Sequence, residues 1–142
     1  MKKLKTLLVA FTVIGTTLLS NATIQNPQEK GTLAYSIETY LNMINLGETK
    51  KYATILADDV KFNTTRNGKI ITHGKSEELN FIRSMGNVKQ NCKTEFSTIS
   101  TSENFSIIKV KMIYEGFTKE NIVSFSKTDS GWKITDVTTV FL

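Results

Sequence analysis

The chain has almost none of the residues from which reactive or metal centres are usually built. A single cysteine, Cys92, excludes an internal disulfide and any cysteine-rich metal cage. Cys92 is expected to act as a small buried apolar residue. A single histidine, His73, has no Cys or His companion at ligand spacing, so no metal site is expected. No nucleophile motif, glycine-rich phosphate loop or dinucleotide fingerprint occurs, and no cofactor is expected either. No Lys/Arg run exceeds two residues, and basic and aromatic residues do not interleave, which argues against nucleic acid as a partner. The one proline, Pro27, lies near the start, so nothing after it interrupts a helix or strand through a missing N–H.

What is present begins with an export pattern. Lys2, Lys3 and Lys5 precede an apolar run from Thr6 to Leu19, and no acidic residue comes before Glu29. Ser20-Asn21-Ala22 then places small residues at the −3 and −1 positions of a cleavage site. Residues 1–22 therefore read as a cleaved signal peptide, and the mature chain as exported to periplasm or medium. A retained anchor is the alternative, but the run falls short of the ~20 apolar residues that a spanning helix needs. Cleavage would leave 120 of the 142 residues: a polar lead-in over 23–31 and one domain over 32–142. A chain of this size buries about two-thirds of its unfolded surface, enough for a core without staples. The signal carries three of the 18 Lys and Arg and none of the 13 acids, so the formal charge falls from +5 to +2.

Periodicity supplies the elements. Leu33, Ile37, Tyr40, Leu41 and Ile44 form one helical stripe, which Gly47 can end in a left-handed conformation. A second, shorter helix is expected from Glu48 or Thr49, with Tyr52, Ile55 and Leu56 on its apolar face. At Asp58-Asp59 the pattern turns to alternation, and adjacent strand residues point to opposite faces, so these two make no close carboxylate pair. Asn67-Gly68 predicts a hairpin and a return strand from Lys69 to His73. A third helix is expected over about Lys75 to Met85, with Leu79, Ile82 and Met85 inward and Glu77 and Glu78 favourable to its dipole. Four strands follow, over 91–102, 105–117, 120–128 and 132–141. The order α-α-β-β-α-β-β-β-β predicts an α+β fold with a mostly antiparallel sheet curled round the helices.

Three segments carry a resemblance to a known superfamily. They are Tyr40-Leu41-Asn42-Met43-Ile44-Asn45-Leu46-Gly47-Glu48, His73-Gly74-Lys75-Ser76-Glu77-Glu78-Leu79 and Gly131-Trp132-Lys133-Ile134. Together with the element order they resemble the nuclear transport factor 2-like superfamily. The chain is most similar to small exported bacterial members grouped as putative lumazine-binding or polyketide-cyclase-like (SnoaL-like) proteins. The resemblance covers nearly all of 32–142. It implies a cone of curved sheet closed by three helices, with a pocket at the open end, and it specifies fold rather than activity.

Candidate site residues follow from alternation within that cone, except His73, which ends a strand beside the third helix, where the resemblance implies polar pocket residues. Trp132, Ile134 and Asp136 share one face of the last strand, and Ile108, Val110, Met112 and Tyr114 share one face of the long strand. If those faces line the cone, Phe62, Met112, Tyr114 and Trp132 form walls, with His73 and Asp136 as polar contacts. The first expectation is a non-enzymatic domain that binds a small, partly apolar or aromatic molecule. The second is an isomerase, dehydratase or cyclase that moves protons on a bound carbonyl compound, with Asp136 or His73 as base. The third is an interaction module that dimerises through the exposed sheet face. Blander roles stand beside these: a strand this long often bulges, which would turn Asp136 outward. His73 can simply cap backbone groups, and Tyr40, Tyr52 and Trp132 can simply complete the core.

Overall fold

The computed structural model describes residues 29–86 and 88–142, so the expected signal segment and most of the lead-in lie outside the described residues. Thr32 starts the first helix, α1 (Leu33–Leu46), by accepting the Tyr35 N–H on its hydroxyl at 3.1 Å. Tyr40 and Ile44 are buried from its expected stripe, and Leu33, Ile37 and Leu41 pack against them. Gly47 ends the helix with φ at 71°, a region that costs a residue without Cβ nothing.

The second helix does not form. Tyr52–Ile55 makes one 3-10 turn instead. Tyr52 and Ile55, three residues apart, are both buried, and that spacing suits a threefold rather than a 3.6-fold repeat. Leu56, expected on a helical face, begins the first strand and pairs with Ile134. Among the described residues there are therefore two α-helices where three were expected. Its order is α1, the 3-10 turn, β1 (Leu56–Arg66), β2 (Lys69–Gly74), α2 (Lys75–Met85), β3 (Lys93–Thr101), β4 (Phe105–Ile113), β5 (Thr118–Thr128) and β6 (Gly131–Phe141).

The hairpin β1–β2 turns on Asn67 and Gly68, with φ at 51° and 72°, as a type I′ turn requires. At the start of α2 the Glu77 carboxylate accepts the Gly74 N–H at 3.2 Å, the half of a capping box that a glycine leaves available. One six-stranded sheet runs β2-β1-β6-β5-β4-β3. Every pairing is antiparallel except β1–β6, which is parallel. The fold is α+β. Its core sits between the sheet's inner face and the helices, where Ile108, Val110, Val123, Phe125 and Ile134 are fully buried.

A bulge in β6 decides which side chains reach the interior. Phe125 pairs with Ile134 but the preceding Ser124 pairs with Asp136, so Thr135 is an extra residue in β6. Strict alternation would place Ile134 and Asp136 on one face. The extra residue resets the phase, and Ile134, Val137 and Thr139 are the buried positions. At the other end of β6, Trp132 N–H donates to Gly31 O at 3.0 Å, and Ser36 Oγ donates to Trp132 O at 2.8 Å. The chain entering α1 is thereby held against the start of β6. The approach is close enough that a Cβ on Gly131 would lie 2.5 Å from Gly31 Cα.

Candidate functional site

Between the inner face of the sheet, α1 and α2 lies a cavity of about 730 Å³ that opens to solvent. Its floor is a polar relay set into the core. Asn121 on β5 donates to Tyr40 Oη at 2.7 Å and accepts from Thr139 Oγ1 at 2.9 Å. All three residues are buried, and the relay satisfies groups that would otherwise be costly there. The walls are apolar: Phe62, Ile82, Met112 and Val137 lower down, and Ile71, Phe81, Met85 and Phe141 toward the mouth. Tyr114 stacks on Phe117 with ring centroids 4.5 Å apart and donates to Gln90 Oε1 at 2.8 Å.

The chemistry is concentrated on one wall. Phe62 and His73 pair across β1 and β2, and their rings stack at 5.1 Å and 10°. His73 Nε2 lies 2.8 Å from Glu78 Oε2, and both side chains are partly buried. The hairpin supplies the histidine and the first turn of α2 the carboxylate, five residues later. Tyr52 is held well above its ordinary pKa, first by burial and then by the nearby Tyr40 and Glu78 groups. Tyr40 is raised as well, again chiefly by burial. Both phenols therefore stay neutral across the physiological range. On the opposite side Lys119 of β5 lines the cavity, and burial lowers its amine pKa. Among the described residues no cluster of His, Cys, Asp or Glu could hold a metal ion.

Of the six residues expected at the site, four line this cavity: Phe62, His73, Met112 and Tyr114. Two do not. Asp136 is turned to the outer face of the sheet by the β6 bulge, where it accepts from Asn63 Nδ2 at 2.8 Å and from Thr138 Oγ1 at 3.0 Å. Trp132 lies at the far end of β6 from the mouth and packs against the core there. The carboxylate that meets His73 is thus Glu78, and neither Asp58, Asp59 nor Asp136. Asp58 pairs with Lys75 at 2.8 Å on the surface. Tyr40 and Tyr52 complete the core and also line the cavity. Cys92 is half-buried, with Sγ 3.7 Å from Thr94 Oγ1.

The residues that alternation missed carry a signal of their own. Glu78, Ile82 and Met85 fall at i, i+4 and i+7, a carboxylate at the head of an apolar helical stripe. Lys119 and Asn121 extend the inward series of Val123 and Phe125 by two polar positions. Polar residues in phase with a buried face mark a pocket rather than a core.

The match with a family model spans residues 28–141, under the description putative lumazine-binding. No curated relative matches the chain. Solved structures share the fold at low identity. A nuclear transport factor 2-like protein of unknown function from Silicibacter pomeroyi DSS-3 aligns with TM-score 0.64 and 12% identity, covering 78% of this chain and 92% of that one. Another from Methylobacillus flagellatus KT gives TM-score 0.63 and 15% identity, over 77% and 88% of the two chains. A protein described as a putative ketosteroid isomerase, from Parabacteroides distasonis ATCC 8503, gives TM-score 0.58 and 10% identity over 81% and 89%. With the family model spanning nearly every described residue, the chain belongs to the putative lumazine-binding family, and its fold is that of the nuclear transport factor 2-like structures.

Proposed function

We propose that the chain is an exported domain that binds a small, flat, partly apolar molecule in the cavity. The observation that carries this reading is the cavity itself, about 730 Å³ with apolar walls and a few convergent polar groups. Small-ligand sites have that size and that composition. The family's description names lumazine, a flat heterobicycle, and such a shape suits the wall made by the stacked Phe62 and His73 rings. The outer sheet face gives the interaction-module reading no comparable support, since it carries Asn63, Lys109, Lys111, Glu120 and Asp136.

The test is thermal unfolding against a panel of flat mono- and bicyclic heteroaromatics that includes lumazine. At least one is expected to raise Tm by about 3 °C or more at saturating concentration. The shift should vanish in Thr64→Trp, whose indole would fill the space beside Ile71. A panel in which no compound shifts the wild type more than the variant would contradict the reading.

A second reading rests on the His73–Glu78 contact. A histidine held by a carboxylate is a competent proton acceptor, and Glu78 would stabilise the imidazolium as it forms. That arrangement suits proton removal beside the carbonyl of a bound ketone, with the neutral Tyr52 close to Glu78. Deuterium exchange into 2-tetralone in D2O measures it directly. The enzyme reading predicts exchange about tenfold faster with the wild type than with Glu78→Gln or His73→Ala. Equal rates for all three proteins exclude it.

A further inference from the structure

One charged group in the cavity has no role in either reading. Lys119 sits on the inner face of β5, in register with Met112 of β4 on one side and Phe141 of β6 on the other. Two residues deeper, Asn121 is satisfied by Tyr40 and Thr139, and beyond it Val123 and Phe125 are fully buried. The ammonium is thus carried into the apolar side of the cavity on a strand whose direction is fixed by the core. Among the described residues no carboxylate lies within ion-pairing distance of it.

The cavity's own acids are engaged elsewhere. Glu78 is in contact with His73, and Glu77 caps α2 through the Gly74 N–H. Tyr40, Tyr52 and Tyr114 face the same space as neutral phenols, and Cys92 lies nearby. A partly buried lysine without a carboxylate partner is less well solvated than one on the surface, and an anion delivered to it recovers more than the same pair would in water. Burial is the largest influence on the Lys119 amine, and the Glu78 and Cys92 groups act in the opposite direction. Glu78 matters in a second way. Its negative charge on the facing wall penalises a ligand with a second anionic group.

We propose that Lys119 is the anion receptor of this cavity, and that the ligand is a flat monoanion of the aromatic carboxylate type. Its carboxylate pairs with the Lys119 ammonium between Met112 and Phe141, and its ring extends toward the Phe62–His73 stack. The proposal rests on the cavity being a ligand site and adds the charge, the polarity and the orientation of what it takes.

Calorimetric titration with 2-naphthoate and its neutral counterpart 2-naphthamide separates the two claims. The wild type is expected to bind the carboxylate about tenfold more tightly than the amide. Lys119→Met should remove that preference by weakening naphthoate and leaving naphthamide within about threefold, and Lys119→Arg should retain it. Equal affinity of the wild type for both compounds overturns the anion receptor but leaves the cavity reading intact, because the amide is bound. A Lys119→Met protein that loses both compounds alike also overturns the receptor, and reduces Lys119 to a wall of the cavity. Failure of both compounds to bind the wild type at millimolar concentration counts against the receptor and the cavity together. The wild-type ratio decides the matter even if Lys119→Met does not fold.

Discussion

At the scale of single residues, the interior is built from polar groups that the core keeps neutral or pairs. Tyr40 supplies the acceptor for the Asn121 amide, and Asn121 in turn accepts from Thr139. Tyr40→Phe removes the acceptor and strands a buried donor, which should cost about 1–3 kcal/mol in chemical denaturation. The same burial sets an alkaline limit. Tyr40 and Tyr52 have folded pKa values above their unfolded value of 10.0. Above pH 10 the unfolded chain gives up protons that the folded chain retains, so stability present below that pH is lost as pH rises. Lys119 acts with the opposite sign: its depressed pKa makes stability rise with pH up to its unfolded value of 10.5. Ultraviolet difference titration should find Tyr40 and Tyr52 silent until the protein unfolds, and Tyr114, pushed up to about 12, titrating late. Four tyrosines titrating together in the folded state would contradict that burial.

Elements were legible in the sequence where their causes are local. Thr32 and Gly47 bracket α1, and Asn67-Gly68 folds the hairpin, because cap and turn geometry are decided within a few residues. The second helix was not legible, because Leu56 is claimed by a strand partner, Ile134, far along the chain. Strict alternation points Asp136 inward, and the alternative left open for so long a strand, a bulge that turns it outward, is what occurs; its position depends on the register between two strands. That bulge has a consequence that can be tested. Deleting Thr135 removes the extra residue, and plain alternation then keeps Ile134, Val137 and Thr139 on the inner face with Asp136 still outward. The deletion is therefore expected to fold, at a cost of about 1–3 kcal/mol, and Thr135→Ala, which keeps the residue count, should lose less than about 1 kcal/mol. A ΔThr135 protein that does not fold would mean that the extra residue does more than absorb the change of phase. Gly131 is a second element-level constraint, with φ at 100° and Gly31 against it. Gly131→Ala should cost about 2 kcal/mol or more, because the added methyl meets backbone rather than a movable side chain.

At the scale of the whole molecule, helices and sheet enclose a space instead of filling it. Apolar residues crowd the mouth, where Phe81, Met85, Phe117 and Phe141 are exposed. Deeper in, polarity is confined to the His73–Glu78 wall, the Asn121 floor and Lys119. The family was legible because element order and three short segments carry it, and the family match agrees. The candidate site was legible in part. Phe62, Met112 and Tyr114 follow from strand alternation and His73 from its place at a strand end and the resemblance, whereas Glu78 and Lys119 require knowing which parts of α2 and β5 line one cavity. The expected export segment lies outside the described residues, and expression with and without residues 1–22 tests it: only the full chain should appear outside the cytoplasm.

Everything proposed for this domain depends on the cavity holding a small molecule. That is open to mass spectrometry of the compounds released from protein purified without denaturation, wild type beside Thr64→Trp. A flat organic compound is expected in near-stoichiometric amount from the wild type, and none from the variant. The same trace from both proteins, together with no thermal shift for the wild type across the heteroaromatic panel, would show that the cavity is not a ligand site.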